Sequence, residues 1–307
     1  MKIISAKGMT KLVKSACYNN SYKNFLPWVN SIGFCPPTLR YNHRRWMPQI
    51  AEDFLISTYQ TRHDSEHESA IQLYLEDAGQ TMLSCIGMRD TRELPKKKLS
   101  KSLPLVMQLE QVLLRRRSER QYTGDIISDE HVSAVLQAAN GVTAESAANL
   151  ACGEQVRFKL RAAPSGGGIY PIDIYLVSLR IKNIAKGIYQ YSSIENSLFL
   201  KADETKINKL MSMFSVPEEL ISFSRANYFL IFVGHPWKTM RKYGNRGIRF
   251  LFHEIGCISQ NIHLANTSLG LGSVDCASFY EDEVNQLLQF DGVNQSALHM
   301  IVTGAVS

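Results

Sequence analysis

Four short stretches of this 307-residue chain hold side chains whose types and spacing could do chemistry. In MRKYGNRGIRF, Lys242 and Tyr243 are adjacent ionisable groups just ahead of a long apolar-periodic segment. A desolvated lysine, or a tyrosine beside a cation, can work as a general base. A free amine, with a pKa of about 10.4, is a poor base at neutral pH. The role therefore requires burial or the neighbouring Arg241 and Arg246 to depress Lys242, or the pair to share a proton. The same two residues also suit an exposed lysine and a tyrosine packed at a helix entrance.

In RRRSERQY, Arg116, Ser118 and Arg120 alternate, so an extended segment points all three the same way. Two guanidiniums and a hydroxyl can hold a phosphate through charge-assisted hydrogen bonds. A basic helix C-terminus that favours the macrodipole is the competing account. In RAAPSGGGIYPIDIYLV, Pro164-Ser165-Gly166 leads into two more glycines and then a strand-like run. Either the loop needs positive φ, or its backbone must approach something flat and large. No GK[ST] follows, so this is not a Walker loop. In LGLGSVDCASF the GxG follows a helical segment instead of opening one, which suits a helix C-cap better than a dinucleotide fingerprint. HEIGC lacks the second histidine of a zincin motif, and His63 and His67 have no third ligand nearby in sequence, so no metal site is expected.

The elements around these stretches read as follows. LVMQLEQVLLRR places Leu105, Leu109, Val112 and Leu113 on one helical face. ISDEHVSAVLQAANG is a second helix, with Ser128 as N-cap, Asp129 and Glu130 in its first turn and Gly141 as its stop. Strands are expected at IYPIDIYLVSL, GIYQYSS and SLFLKA, a helical region over roughly 203–222, and a buried strand at NYFLIFVG. The longest helix runs through RGIRFLFHEIGCISQNIHLANTSLGLG and ends at Gly270 and Gly272. A short strand (SVDCASF), a helix (EDEVNQLLQF) and a final strand (ALHMIVTGA) complete the chain. Helices and strands mix without regular βαβ alternation, which defines an α+β class.

Before this region the signal is uneven. FCPPTLRYNHRRWMP is loop-like and SAIQLYLEDAG is helical; LPKKKLSKSLP reads as a linker with solvated lysines. The division is therefore an N-terminal extension, 1–100, and a domain, 101–307. The composition, 45% hydrophobic and 20% charged, is that of a globular chain. Apolar runs such as YFLIFVG are far too short to span a membrane, and the N-terminus has no signal-peptide core. The net charge of +6 favours an anionic ligand or partner. No paired aromatic platform supports nucleic-acid binding. Cys17, Cys35, Cys85, Cys152, Cys257 and Cys276 are scattered, as reduced cytoplasmic thiols are.

Taken in order, RRRSERQY, PSGGGIYPIDIYLV, GIYQY, RKYGNRGIRF and GCISQNIHLANTSLGLGSVDCASF resemble the nitroreductase-like flavoenzymes. More narrowly they resemble the SagB-type azoline oxidases, which make thiazoles and oxazoles in ribosomal peptide natural products. The resemblance covers roughly residue 105 to the C-terminus. It implies an α+β fold binding FMN at a homodimer interface, with glycines that let backbone pass close to the isoalloxazine ring. It implies that Arg116, Ser118 and Arg120 hold the FMN phosphate and that Pro164, Ser165 and Gly166 flank the ring. Ala277 and Ser278 would lie near flavin N5, and Gln260 and Asn261 would be ring or interface contacts. Lys242-Tyr243 matches the branch's catalytic base pair, with N5 as hydride acceptor. The implied substrate is a modified precursor peptide and the implied partner a cyclodehydratase complex. Two departures stand out. The chain ends in ALHMIVTGAVS without the basic residue that often helps bind phosphate, a role Arg161 or Arg249 could take. The usual flavin-facing Asn falls at Gly168. The alternatives are an NAD(P)H-dependent nitro- or quinone reductase, which would not need Lys242-Tyr243, and a non-catalytic flavin-binding scaffold. RYNHRRW could contact a leader peptide or partner, or be a surface loop.

Overall fold

The computed structural model describes residues 54–55, 57–60, 65–77, 94–149, 153 and 155–307. RYNHRRW, His63 and the His67 side chain lie outside them. The chain forms two compact units, Met1–Tyr59 and Gln60–Ser307. In chain order the second unit holds α1 (Ser65–Glu76), β1 (Lys96–Lys98), α2 (Leu109–Arg115), β2 (Ile127–Ser128) and α3 (Asp129–Asn140). Then come β3 (Val142–Asn149), β4 (Gln155–Arg161), β5 (Ile172–Ser178), β6 (Ile181–Lys182), β7 (Gly187–Ser192) and β8 (Ser197–Asp203). The remainder is α4 (Thr205–Met211), β9 (Tyr228–Gly234), α5 (Pro236–Tyr243), α6 (Gly247–Ser268), β10 (Leu271–Cys276), α7 (Glu281–Leu288) and β11 (Ser296–Ala305).

Seven strands make one antiparallel sheet in the order β1-β8-β7-β5-β9-β11-β10. YFLIFVG is β9, and all seven of its residues are buried. Its alternate side chains serve opposite faces. Tyr228, Leu230 and Phe232 join Val135 and Leu136 of α3 and Ile255, Ile258 and Ile262 of α6. Phe229, Ile231 and Val233 join Ile207 and Leu210 of α4 and Val284 of α7. Covering both faces removes the polar alternation a half-exposed strand would show. Layers of helix, sheet and helix result.

Helix α3 spans the residues read for it, with Gly141 at its C-cap. A Cβ on Gly141 would sit 2.6 Å from the Gln137 carbonyl oxygen. Gly270, at φ +72°, follows the end of α6, whereas Gly272 belongs to β10.

Three expectations are corrected. The KKK of the expected linker is an edge strand, pairing Lys96–Lys98 with Ser197–Phe199. The Lys96 ammonium pairs with Glu195 and stands 5.7 Å from the Phe199 ring centroid. Lysines on an edge strand leave it unattractive to further strands. The helical region at 203–222 reduces to Thr205–Met211, because Ser215 and Pro217 favour turns. The helix expected from Leu105 starts at Leu109. Val112 alone of its stripe is buried, while Leu105, Leu109 and Leu113 are 43%, 65% and 52% exposed. The stripe is real, but apart from Val112 it is left largely exposed, with Leu105 and Leu109 lining an open groove beside Ala138 of α3 and Leu264 of α6.

Candidate active site

Two groups of residues form, one at the corner between α5 and α6 and one along β10. At the corner, α5 starts with Pro236 at its first turn and ends at Gly244, φ +55°. The chain re-enters helix at Gly247, where a Cβ would lie 2.6 Å from the Thr239 backbone. The two helices therefore touch through backbone, and the corner holds Lys242 and Tyr243 at the end of α5.

These two side chains reach the glycine loop. A Cβ on Gly167 would collide with the Tyr243 hydroxyl and stand 2.9 Å from Lys242 Nζ. One on Gly166 would stand 3.2 Å from Phe250 of α6. Tyr243 meets Phe250 edge to face, with centroids 4.8 Å apart. The loop is a 3₁₀ turn over Gly166–Gly168. It is closed by hydrogen bonds from Gly168 N–H to the Ser165 carbonyl (3.0 Å) and from Tyr170 N–H to Ser165 Oγ (2.8 Å). Gly167 and Gly168 have φ of 69° and 67°. The glycines at 166 and 167 thus answer to protein side chains, while a Cβ at 168 would meet open space. Burial pushes the Tyr243 phenol up, so it holds its proton at neutral pH. Lys242 Nζ stands 5.1 Å from the ring centroid of Tyr74, on α1, and 5.4 Å from that of Tyr243.

Behind the loop is an acid that the sequence reading passed over. Glu254 of α6 is 1% exposed, and neither carboxylate oxygen has a hydrogen-bond partner among the described residues. Burial pushes its pKa up to about 7 against the opposing pull of the Ser165 hydroxyl, Arg161 and Lys238. The buried Arg161 guanidinium lies 4.5 Å from the Tyr170 centroid, and Arg161 N–H donates to Tyr170 Oη (3.0 Å). Arg161 therefore belongs to this corner cluster.

The second group follows β10. After α2 the chain runs extended beside this strand. Ser118 forms a parallel bridge to Ser273, and Glu119 N–H donates to the Ser273 carbonyl (3.1 Å). The run lies on a floor of two paired glycines, Gly272 and Gly304. A Cβ on Gly272 would sit 2.6 Å from Glu119 Cβ, and one on Gly304 would sit 2.6 Å from the Tyr122 ring. Tyr122 pins the far end, its hydroxyl donating to the carbonyl oxygens of Glu119 (2.8 Å) and Val302 (3.1 Å). Arg117, not Arg116 or Arg120, covers the end of α2, with Nη1 donating to the carbonyls of Leu114 and Arg116. Arg120 Nη1 donates to the Ser118 carbonyl (3.1 Å). Ser118 and Arg120 are exposed and Arg116 is half-buried.

At the other end of β10, Asp275 joins three elements. It accepts from Ser259 Oγ (2.6 Å), His263 Nε2 (2.9 Å) and His299 Nε2 (2.8 Å). His263 Nδ1 lies in hydrogen-bond contact with the Ser273 hydroxyl (2.8 Å). Burial opposes ionisation of Asp275, but the hydrogen bonds prevail and hold it well below the usual carboxylate range. Ala277 and Ser278 follow immediately, both exposed, with the Ser278 carbonyl accepting from Ser215 N–H (3.0 Å). Gln260 lies on the exposed side of α6, and Asn261 lines a shallow groove with Leu105, Leu109 and Val112. The Asp275 network had a signal in sequence: Ser259 and His263 are four apart on a helix, and Ser273 and Asp275 two apart on a strand, so each pair shares a face. No cluster able to hold a metal ion occurs among the described residues, and none of their helices is long and apolar enough to cross a membrane.

The Nitroreductase family profile matches residues 113–304, well over half of the chain. The chain belongs to the nitroreductase family, which makes it an oxidoreductase flavoprotein. A protein of Methanocaldococcus jannaschii described as a nitroreductase is 31% identical over 183 residues, 60% of this chain and 85% of that one. A nitroreductase structure from Anabaena variabilis superposes with TM-score 0.56 at 17% identity, over 71% of this chain and 43% of the other. This chain thus spans less than half of that protein. A chain of the E. coli microcin synthetase McbBCD complex, solved with truncated pro-MccB17 bound, gives TM-score 0.53 at 19% identity. That likeness covers 93% of this chain and 99% of the other.

Proposed function

We propose that the protein is an FMN-dependent oxidase that aromatises azoline rings in a peptide. The observation that carries this reading is the convergence of Lys242 and Tyr243 on Gly167 of the glycine loop. A lysine and a tyrosine aimed at one point on a cofactor-flanking loop suit removal of a carbon-bound proton, which reduction of a nitro group by NAD(P)H does not require. The near end-to-end likeness to a microcin synthetase chain supports a peptide substrate and a cyclodehydratase partner.

The residues present fit FMN. Arg116, Ser118 and Arg120 offer two cations and a hydroxyl, and the capping of α2 falls to Arg117. Pro164, Ser165 and Gly166 would flank the ring, and Ala277 and Ser278 would present exposed backbone to it. FMN, when bound, would supply the two-electron acceptor, with oxygen proposed as the final oxidant that restores it. Lys242, as the neutral amine, would take the proton released from the azoline carbon, and Tyr243, whose phenol keeps its own proton, would hydrogen-bond to that nitrogen; the corner between α5 and α6 fixes both for that purpose. The exposed stripe of Leu105, Leu109 and Leu113 supports a homodimer that closes the site. Residues 1–100 are proposed to take part in peptide or partner contact.

The family itself favours a second reading, an NAD(P)H-dependent nitro- or quinone reductase. Anaerobic absorbance of the flavin band separates them. Bleaching by an azoline-bearing peptide and not by NADPH supports the oxidase; bleaching by NADPH alone supports the reductase.

A further inference from the structure

We propose that the ribbon of β3 and β4 is a docking rail for the substrate peptide, which adds to the β3 edge as one more strand. This rests on the reading of the substrate as a peptide. The two strands pair with each other and with no other strand, from Val142 opposite Arg161 to Asn149 opposite Gln155. A ribbon of that length reaches roughly 25 Å. Thr143, Ala144, Glu145, Ser146, Ala147 and Asn149 of β3 are all exposed. Among the described residues, backbone hydrogen bonds to the rest of the chain occur only at the root of the ribbon. There Ala162 N–H donates to the Gly141 carbonyl (2.9 Å) and Arg161 N–H to Tyr170 Oη (3.0 Å). Beyond the root, the N–H and C=O groups on the outer edge of β3 have no protein partner among those residues.

An unpaired edge is a template for another extended chain unless lysine, proline or a covering segment guards it. The outer edges of the large sheet are guarded: β1 carries Lys96–Lys98, and the run through Ser118 lies beside β10. The sequence of β3, VTAESAAN, has no lysine, arginine or proline. Its one charge, Glu145, pairs with Lys159 across the ladder (3.6 Å). The small side chains also decide the occupant. Interfaces between folded subunits are poor in Ala, Ser and Glu. An added strand is held by main-chain hydrogen bonds and needs only room for its own side chains. The rail leads to the site. From Arg161, in the corner cluster, the chain runs through Ala162 and Ala163 into Pro164-Ser165-Gly166 and the loop on which Lys242 and Tyr243 converge. A peptide held along β3 is delivered at the root, beside that loop. Main-chain pairing reads no sequence, so one rail serves rings with different neighbours.

The test uses the flavin-loaded full-length protein and two thiazoline substrates. One is an N-acetyl thiazoline amide, too short to lie along β3. The other is a Ser/Val peptide of about twelve residues, long enough to do so, carrying one thiazoline. Ala144→Lys combined with Ala147→Lys puts a lysine on each face of the edge, at exposed positions. It should raise KM for the peptide about tenfold more than KM for the short substrate, on the scale of a hydrogen bond or two. A second measurement leaves the protein unaltered. The same peptide, fluorescently labelled, is N-methylated at alternate residues in two phases, and its binding is read by anisotropy. The phase that turns its N–H groups toward β3 should bind severalfold more weakly than the other. Equal changes in KM for both substrates, equal binding by the two phases, or conversion of a dimer to a monomer by the lysines would overturn the proposal; the last would give the edge to a second copy. If the parent protein turns over neither thiazoline, the proposed reaction fails. The anisotropy still decides whether β3 holds the peptide.

Discussion

At the scale of single residues, the corner between α5 and α6 allows little substitution. Lys242→Ala or Tyr243→Phe should cut azoline turnover by about 10²–10⁴, the usual worth of a positioned acid or base, while the flavin stays bound. Loss of flavin from either variant would move those residues from chemistry to cofactor retention. Gly167→Ala meets two obstacles, a left-handed backbone that costs roughly 1–2 kcal/mol and the hydroxyl of Tyr243. Both stability and turnover should fall, as measured by thermal melting and kinetics on the same preparation. Glu254 gives a signed pH dependence. Its folded pKa of about 7 stands above an ordinary value of 4.5, so the folded chain keeps a proton that the unfolded chain releases. Stability should therefore fall as pH rises from about 4.5 to 7, by roughly 3 kcal/mol. Glu254→Gln has nothing to titrate there and should be flat across that window in urea denaturation. An equal decline in both proteins would rule this residue out as its source.

At the scale of elements, the run proposed to hold the flavin phosphate depends on a bare floor. Gly272→Ala or Gly304→Ala should lift Glu119 or Tyr122 off the sheet and weaken flavin retention, with Lys242 and Tyr243 left in place; flavin titration of each variant checks this. Asp275 binds α6, β10 and β11 together. Its depressed pKa stabilises the fold above the ordinary carboxylate value, and that contribution disappears as pH falls through the folded value. Asp275→Asn should be less stable at neutral pH and should lose less on acidification. Sequence patterns revealed elements wherever burial dictated composition: the continuous apolar run of β9, the capped α3, the long α6. They failed where another constraint dominated. Lys96–Lys98 form a strand because an edge admits lysines. VTAESAAN is rich in small and polar residues, yet it forms β3 by pairing with β4. The Arg116-Ser118-Arg120 and Lys242-Tyr243 motifs are compact in sequence and so could be proposed from it, and Lys242 and Tyr243 do meet at Gly167. In the Asp275 network local spacing pairs Ser259 with His263 and Ser273 with Asp275, but nothing local joins the two pairs or adds His299; the contact of Tyr74 with Lys242 joins residues far apart in the chain and has no local signal at all.

At the scale of the whole molecule, the apolar residues of α2 that stay exposed, Leu109 and Leu113, mark the surface where a second copy is proposed. Leu109→Glu combined with Leu113→Glu should convert a dimer to a monomer in sedimentation, and flavin should be lost with it. A dimer unchanged by both substitutions would place the contact elsewhere. The family-matched region holds six of the seven strands, while β1 and the ring over Lys242 come from before it.

The run that carries Arg116, Ser118 and Arg120 also lies along β10, the last strand on its side of the sheet. An uncovered strand edge recruits other chains and begins aggregation. On the opposite side the lysines of β1 repel such additions; on this side protection falls to the segment that is proposed to grip the cofactor. Anything that loosens that segment bares a sticky edge, so preparations that lose their colour should also be the ones that precipitate.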